Sequence, residues 1–299
     1  MSETKIITII GASGFIGHNL INYLLSETNY QVRAFARHTD TISVSPEYSD
    51  RLTLINGDAF DENAVKDAVR GCDAVIYLLH MMAEKGDYAQ KEAEVAEICG
   101  RVIGEQGIRR VVFMGGLGSD KDQLSKHLKS RHNTGVILRK YVNSLIELRA
   151  SMIVGEGSIA YEIMKRLVHR LPVQTLPTWA TTQTQPITLD DALQYILASI
   201  KLPGNNHEII EIGGPDKMSY RDLINSYGKF CGKKLILIKV PIVPLWLGAW
   251  WLNLFTPAKH AKVGRQMAES LMNPMVVTDD SAARIFPNIK PKHIDTAFK

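Results

Sequence analysis

The run I6-I-T-I-I10, followed by G11-A-S-G-F-I-G17, decides how this chain is read. Ile6 to Ile10 is an almost continuously apolar, β-branched stretch, the pattern of a strand buried on both faces. Behind the glycines, Phe15, Ile16, Leu20, Tyr23, Leu24 and Leu25 recur at helical spacing. The glycines therefore stand on a strand-to-helix turn. In that setting Gly11 allows the tight turn, Gly14 lets backbone approach a pyrophosphate, and Gly17 lets the helix pack closely on the sheet. The helix N-terminus offers N–H groups and roughly half a positive charge to an anion. Gly11, Ser13, Gly14, Phe15, Ile16 and Gly17 form the candidate phosphate cradle.

Outward from this turn, strands and helices alternate. Gln31–Arg37, Leu52–Ile55, Ala74–Leu79, Val111–Met114 and Leu145–Leu148 read as further strands. Helices are expected over Asp61–Val69, Tyr88–Gln106 and Leu124–Lys140. The alternation predicts an α/β fold, a doubly wound parallel Rossmann sheet of strand order 3-2-1-4-5-6 with helices on both faces. The expected division is a nucleotide-binding core over residues 1–154 and a smaller C-terminal substrate lobe over 155–299, partly interleaved with the core. The lobe reads as a helix near Ile159–Arg170, strands at Gln185–Thr188 and Glu208–Ile212, and helices opening at Asp190 and Ser219. Ser219 with Asp222 resembles a capping box, with Asp in place of Glu.

Nucleotides bind such sheets at the carboxyl ends of the strands. A site for NAD usually carries Asp or Glu at the end of the second strand, bonded to the ribose 2′-hydroxyl. Here that strand ends in Arg37 and His38. The planar, permanently charged fork of Arg37 suits a 2′-phosphate, so NADP(H) is expected ahead of NAD(H). Asp58, after the third strand, stands either to cap the next helix or to accept a bond from the adenine amino group. Leu79 closes the fourth strand and is a further candidate cofactor contact. His80, Met81 and Met82 follow at the edge where a nicotinamide or a substrate would lie.

The 299 residues suffice for one large α/β domain or a domain with a lobe, and a formal charge of +4 argues against general nucleic-acid binding. Cys72, Cys99 and Cys231 are few and widely separated, which fits buried thiols in a reducing compartment and no metal site. The polar N-terminus enters the first strand directly, so no signal peptide is expected and the protein is read as cytoplasmic. Lys234–Phe255 is the most apolar stretch, but Lys239, Pro241 and Pro244 interrupt it, so no transmembrane span is expected. Trp246 and Trp250, with Phe255 nearby, have two places open to them: packing over the lobe, or peripheral contact with a membrane surface. An amphipathic helix is expected over Lys259–Met272 and a last short helix over Asp280–Phe286.

These motifs resemble the short-chain dehydrogenase/reductase superfamily in its extended or atypical branch. The resemblance rests on G-x-x-G-x-x-G after the first strand, Asp58 after the third, and the late Q-P-I-T-L-D-D segment, Gln185 to Asp191, which is similar to sugar-nucleotide epimerase relatives. The stretches Gly115–Gly118 and His127–His132 are similar to an atypical bacterial subgroup, and the accessory Rossmann subunit of respiratory complex I is a more distant likeness. The resemblance implies Ser or Thr just after the fifth strand and Tyr-x-x-x-Lys on the following helix. The chain departs from both. Gly115 to Gly118 carry no hydroxyl, and His127 and Arg131 occupy the Tyr and Lys positions. By that carry-over, Arg131 is a candidate contact to the nicotinamide ribose, and His127 is the candidate proton donor. A literal Tyr-x-x-x-Lys at Tyr161 and Lys165 follows the sixth strand and reads as a decoy. Three functions are left open: a reductase or dehydrogenase with a non-standard acid acting on a small molecule, a sugar-nucleotide epimerase or dehydratase, and a non-catalytic dinucleotide sensor or assembly factor.

Overall fold

The computed structural model describes residues 5–299 except 83, 85, 120–122 and 241–268. Its centre is a seven-stranded sheet. The strands are β1 (Ile6–Ile10), β2 (Gln31–Ala36), β3 (Leu52–Asn56), β4 (Ala74–Tyr77), β5 (Arg110–Gly116), β6 (Leu145–Ala150) and β7 (Glu208–Ile212), in the order β7-β6-β5-β4-β1-β2-β3. The pairs β1–β2, β2–β3, β1–β4 and β4–β5 are parallel. The six strands read from the sequence lie in the expected order. Glu208–Ile212, expected in the lobe, is a seventh strand beside β6, because Ile210 and Ile212 are wholly buried on its inner face. The fourth strand is two residues shorter than expected, although Leu78 N still donates to Ile10 O at 2.9 Å.

Around the sheet run α1 (Phe15–Glu27), α2 (Glu62–Val69), α3 (Tyr88–Glu105) and α4 (Lys126–Tyr141). Leu20, Ile21 and Leu24 on α1 and Ile7, Ile9 and Ile10 on β1 have no exposed surface. Each such side chain contributes about 1.5–3 kcal/mol when fully buried, so strand, turn and first helix are held as one block.

Packing divides the chain into two compact units. The first comprises Met1–Gly115, Ser130–Leu148 and Leu193–Ile210; the second comprises Gly116–Lys129, Arg149–Ala192 and Glu211–Lys299. The boundary expected at residue 154 falls inside the Arg149–Ala192 segment. The second unit contains α5 (Ile159–Arg170), whose buried positions pack on α6 (Tyr220–Phe230) and the C-terminal turn in a cluster of Val154, Tyr161, Met164, Val168, Leu223, Tyr227, Ile294 and Phe298. The capping box at Ser219 is present: its hydroxyl accepts from Asp222 N and the Asp222 carboxylate accepts from Ser219 N. Ile236–Val240, read only as part of an apolar stretch, is a strand paired in parallel with Val173–Pro177. Trp246, Trp250, Trp251 and Phe255 lie outside the described residues, as does the helix expected over Lys259–Met272 apart from a short 3₁₀ turn at Glu269–Met272. Among the described residues no helix is long and apolar enough to cross a membrane.

Tyr161 of the decoy pair is a core residue. It has no exposed surface, its ring stacks on Phe298 with centroids 6.4 Å apart, and its hydroxyl accepts from Lys299 N at 2.9 Å. Burial raises its pKa, which disfavours a phenolate. Lys165 pairs with Glu162 at 3.5 Å. Tyr161→Ala should cost about 3–5 kcal/mol of unfolding free energy through the cavity it leaves. Tyr161→Phe should cost only about 1 kcal/mol and leave cofactor binding unchanged. Chemical denaturation together with calorimetric titration checks both.

Candidate dinucleotide-binding site

The glycine turn is shaped by close backbone approach. Gly11 has φ +89°, and a Cβ there would lie 3.0 Å from the Leu78 carbonyl carbon at the exit of β4. A Cβ on Gly17 would lie 2.6 Å from Gly11 O, so the first turn of α1 rests directly on the loop. Gly11 N and Ala12 N both donate to Phe35 O, at 3.1 and 3.2 Å, which ties the loop to the end of β2. Gly14 is the N-cap of α1 and has no side chain with which to cap it, and no acid lies in the first turn. Ser13 and Gly14 are exposed, whereas Gly17 is buried. A cradle that a single Cβ would fill, at an uncapped helix start with no negative charge, fits a dinucleotide pyrophosphate.

Arg37 directly follows β2, two residues beyond the Phe35 carbonyl that holds the loop. Its side chain is half exposed, and its Nη2 donates to Glu84 Oε1 at 2.6 Å. Asn56 Nδ2 donates to the Arg37 carbonyl at 3.1 Å, fixing the strand exit against β3. Asp58 follows β3 and is exposed. Of its two expected roles, capping belongs to another residue. The cap of α2 is Asp61, which accepts from Asn63 N and Ala64 N, while Asp58 Oδ1 accepts from Phe60 N at 3.1 Å in a local turn. The short loop sets this: α2 starts at Glu62, so Asp61 is the residue next to its orphan N–H groups.

Arg131 is buried, with only 4% of its area exposed. Its Nη1 donates to the buried Glu92 carboxylate of α3 and to Leu79 O at 2.9 Å, and its Nη2 donates to Met114 O at 2.6 Å. Ser130 Oγ donates to the second Glu92 oxygen at 2.7 Å, and the guanidinium lies 4.7 Å from the Phe113 ring centroid. One side chain thus joins α4 to α3 and to the exits of β4 and β5. Leu79 therefore links two parts of the candidate site: its N–H flanks Gly11, and its carbonyl is held by Arg131.

His80 comes next after Leu79. Its Nδ1 accepts from Met82 N at 3.3 Å, which places the proton of the neutral ring on Nε2. The surrounding protein pushes its pKa down from 6.5, and the charge of Arg131 pushes it further in the same direction. The residue as a whole is exposed, so solvent moderates both effects. Both effects favour the neutral form of the His80 imidazole. His127, on the first turn of α4, is half buried and belongs to the second unit, next to Leu128 in a cluster with Leu117, Leu124, Tyr220 and Met275. The first unit thus brings together the glycine turn, Arg37, Leu79 and Arg131; Asp58 lies at the neighbouring β3 exit.

Sequence reasoning passed over Glu92 and Glu84. Glu92 was detectable, because it shares the buried face of α3 with Tyr88, Val95, Ala96 and Cys99, where an unpaired carboxylate has no place. Glu84 carries no such signal, since it lies in a charged loop.

Comparison with known proteins accords with this geometry. Residues 11–153 match a family model described as NAD(P)H-binding. Cinnamoyl-CoA reductase 1 of Petunia hybrida is 30% identical over 124 residues, covering 38% of this chain and 36% of that protein. The chain thus aligns with about a third (36%) of the length of that curated relative. The mitochondrial NADH dehydrogenase [ubiquinone] 1 alpha subcomplex subunit 9 of Mus musculus is 22% identical over 256 residues, covering 84% of this chain and 68% of that one. Among solved structures, a nucleoside-diphosphate-sugar epimerase from Staphylococcus aureus superposes with a TM-score of 0.74 at 13% identity, covering 98% of each chain, a likeness of fold. Residues 11–153 are an NAD(P)H-binding domain. The fold is of the NAD(P)-binding type shared with epimerases and reductases.

Removing one member of the buried ion pair strands the other. Arg131→Met should lower unfolding free energy by about 3–5 kcal/mol, and pairing it with Glu92→Leu should recover much of that loss. Denaturant unfolding of the two variants measures this, and equal stability of Arg131→Met and the parent would show that the pair carries no such constraint.

Proposed function

We propose that this protein is an NADP(H)-preferring reductase or dehydrogenase acting on a small molecule in the cytoplasm, with a non-standard active site. The observation that carries the cofactor choice is Arg37 at the exit of β2, beside the loop-holding Phe35 carbonyl, where an NAD site would carry an acid. The reductase reading is supported by the sequence similarity to a cinnamoyl-CoA reductase. The two buried, unpaired thiols Cys72 and Cys99 suit a reducing compartment.

In this reading the cradle from Gly11 to Gly17, with Ser13, Phe15 and Ile16, holds the pyrophosphate, Arg37 binds the 2′-phosphate, and Asp58 faces the adenine amino group. The bound cofactor supplies a hydride. Leu79 lines the nicotinamide side, and Arg131, already committed to Glu92 and two carbonyls, acts on the cofactor through the Leu79 backbone and through the field of its charge. His127 donates the proton that completes carbonyl reduction, since an imidazole titrates near neutral pH. A second reading, a non-catalytic dinucleotide-binding subunit, is favoured by the alignment over 84% of this chain with the NADH dehydrogenase subunit and by the absence of Tyr at position 127.

Arg37→Ala should weaken NADPH binding roughly tenfold or more, the loss of one or two charge-assisted bonds of about 1.5–3 kcal/mol each, while NADH binding changes little. Isothermal titration with both cofactors decides it, and equal losses would assign Arg37 another role. With a carbonyl substrate in hand, His127→Ala should cut the maximal rate by about 10²–10⁴-fold. Full activity in that variant would remove the acid role and favour the non-catalytic reading.

A further inference from the structure

We infer that Glu84 is a cofactor-selecting residue: its carboxylate competes with the ribose 2′-phosphate for Arg37 and supplies, from the exit of β4, the acid that the end of β2 lacks. This rests on the reading of Arg37 as the 2′-phosphate partner. Glu84 is brought there by a tight turn. Met82 N donates to His80 Nδ1 at 3.3 Å, and Glu84 N donates to Met81 O at 2.9 Å. Met81 and Met82 are 6% and 2% exposed, so their burial anchors the turn and aims the Glu84 side chain at the neighbouring strand exit. The result is an Arg37–Glu84 contact of 2.6 Å between residues 47 positions apart.

The chemistry of the pair defines its effect. A phosphate and a carboxylate are both oxyanions that seek the same planar fork. The Arg37 side chain is 51% exposed and that of Glu84 25%, so the pair is weak and a dianionic phosphate can displace it. When the phosphate enters, it must separate Glu84 from Arg37 or sit beside a like charge. A cofactor with a plain 2′-hydroxyl meets neither penalty, because the hydroxyl donates to the Glu84 carboxylate while the ion pair stays intact. Glu84 thus narrows the preference for NADP(H) that Arg37 alone would set and leaves NAD(H) usable.

The test is titration calorimetry of the full chain and of the Glu84→Gln, Arg37→Ala and doubly substituted proteins with NADPH and with NADH. Glu84→Gln should tighten NADPH about three- to tenfold and leave NADH no tighter, and the gain should vanish in the Arg37→Ala background. Unchanged or weaker NADPH binding in Glu84→Gln would overturn the competition and make Glu84 a support that positions Arg37. Equal tightening of both cofactors would assign the effect to general charge and also overturn it. The reading of Arg37 fails separately, by an Arg37→Ala protein that loses both cofactors equally, and that outcome removes this inference with it.

Discussion

The Arg131–Glu92 contact is the constraint on which the nucleotide-binding face depends. Two charges lie almost wholly out of water, a costly arrangement unless every donor and acceptor is used. Here the guanidinium reaches the carboxylate, Leu79 O and Met114 O, and Ser130 completes the carboxylate shell. Because the acceptors sit on α3 and at the exits of β4 and β5, satisfying the charge fixes those elements against α4. Gly11 packs on the same β4 exit, so the position of the phosphate loop follows from the same network. In the resembling superfamily a Lys at this position would face the nicotinamide ribose; Arg131, with five donors, is instead absorbed into the scaffold.

Electrostatics around the cradle follow one logic. The start of α1 carries no acid and no side-chain cap, so its partial positive charge is directed at the space over the glycine turn. Arg37 extends that positive character to the end of β2, and Glu84 tempers it. Arg131 adds a buried positive charge that helps keep His80 neutral. A neutral imidazole beside an anion-binding loop offers a hydrogen-bond donor without adding a further full charge.

The second unit depends on different physics. Its cluster is aromatic and C-terminal: Tyr161, Tyr227 and Phe298 meet edge-to-face or stacked, and Lys299 N closes on the Tyr161 hydroxyl. Ile294 and Phe298 are thus part of this core. The Tyr161 phenol of the literal Tyr-x-x-x-Lys is thus buried, hydrogen-bonded and shifted away from ionisation.

What the sequence determined by itself was whatever local pattern encodes. The β-branched run Ile6–Ile10, the three-glycine turn and the helical spacing behind it specify a buried strand, a tight turn and a packed helix, and the alternation after them specifies a right-handed parallel sheet. Ser219 and Asp222 announced their capping box for the same reason, since all its atoms lie within four residues. Tertiary structure alone decided where long-range partners meet. Glu92 meets Arg131 only because α3 packs beside α4, Glu208–Ile212 read as a lobe strand until β6 offered it an edge, and Asp61, not Asp58, caps α2 because of the loop length. The Arg37–Glu84 pair joins residues 47 apart through a turn whose direction is set by two buried methionines. Periodicity records which face of an element is apolar, whereas the partner of a charge depends on which elements the whole fold places side by side.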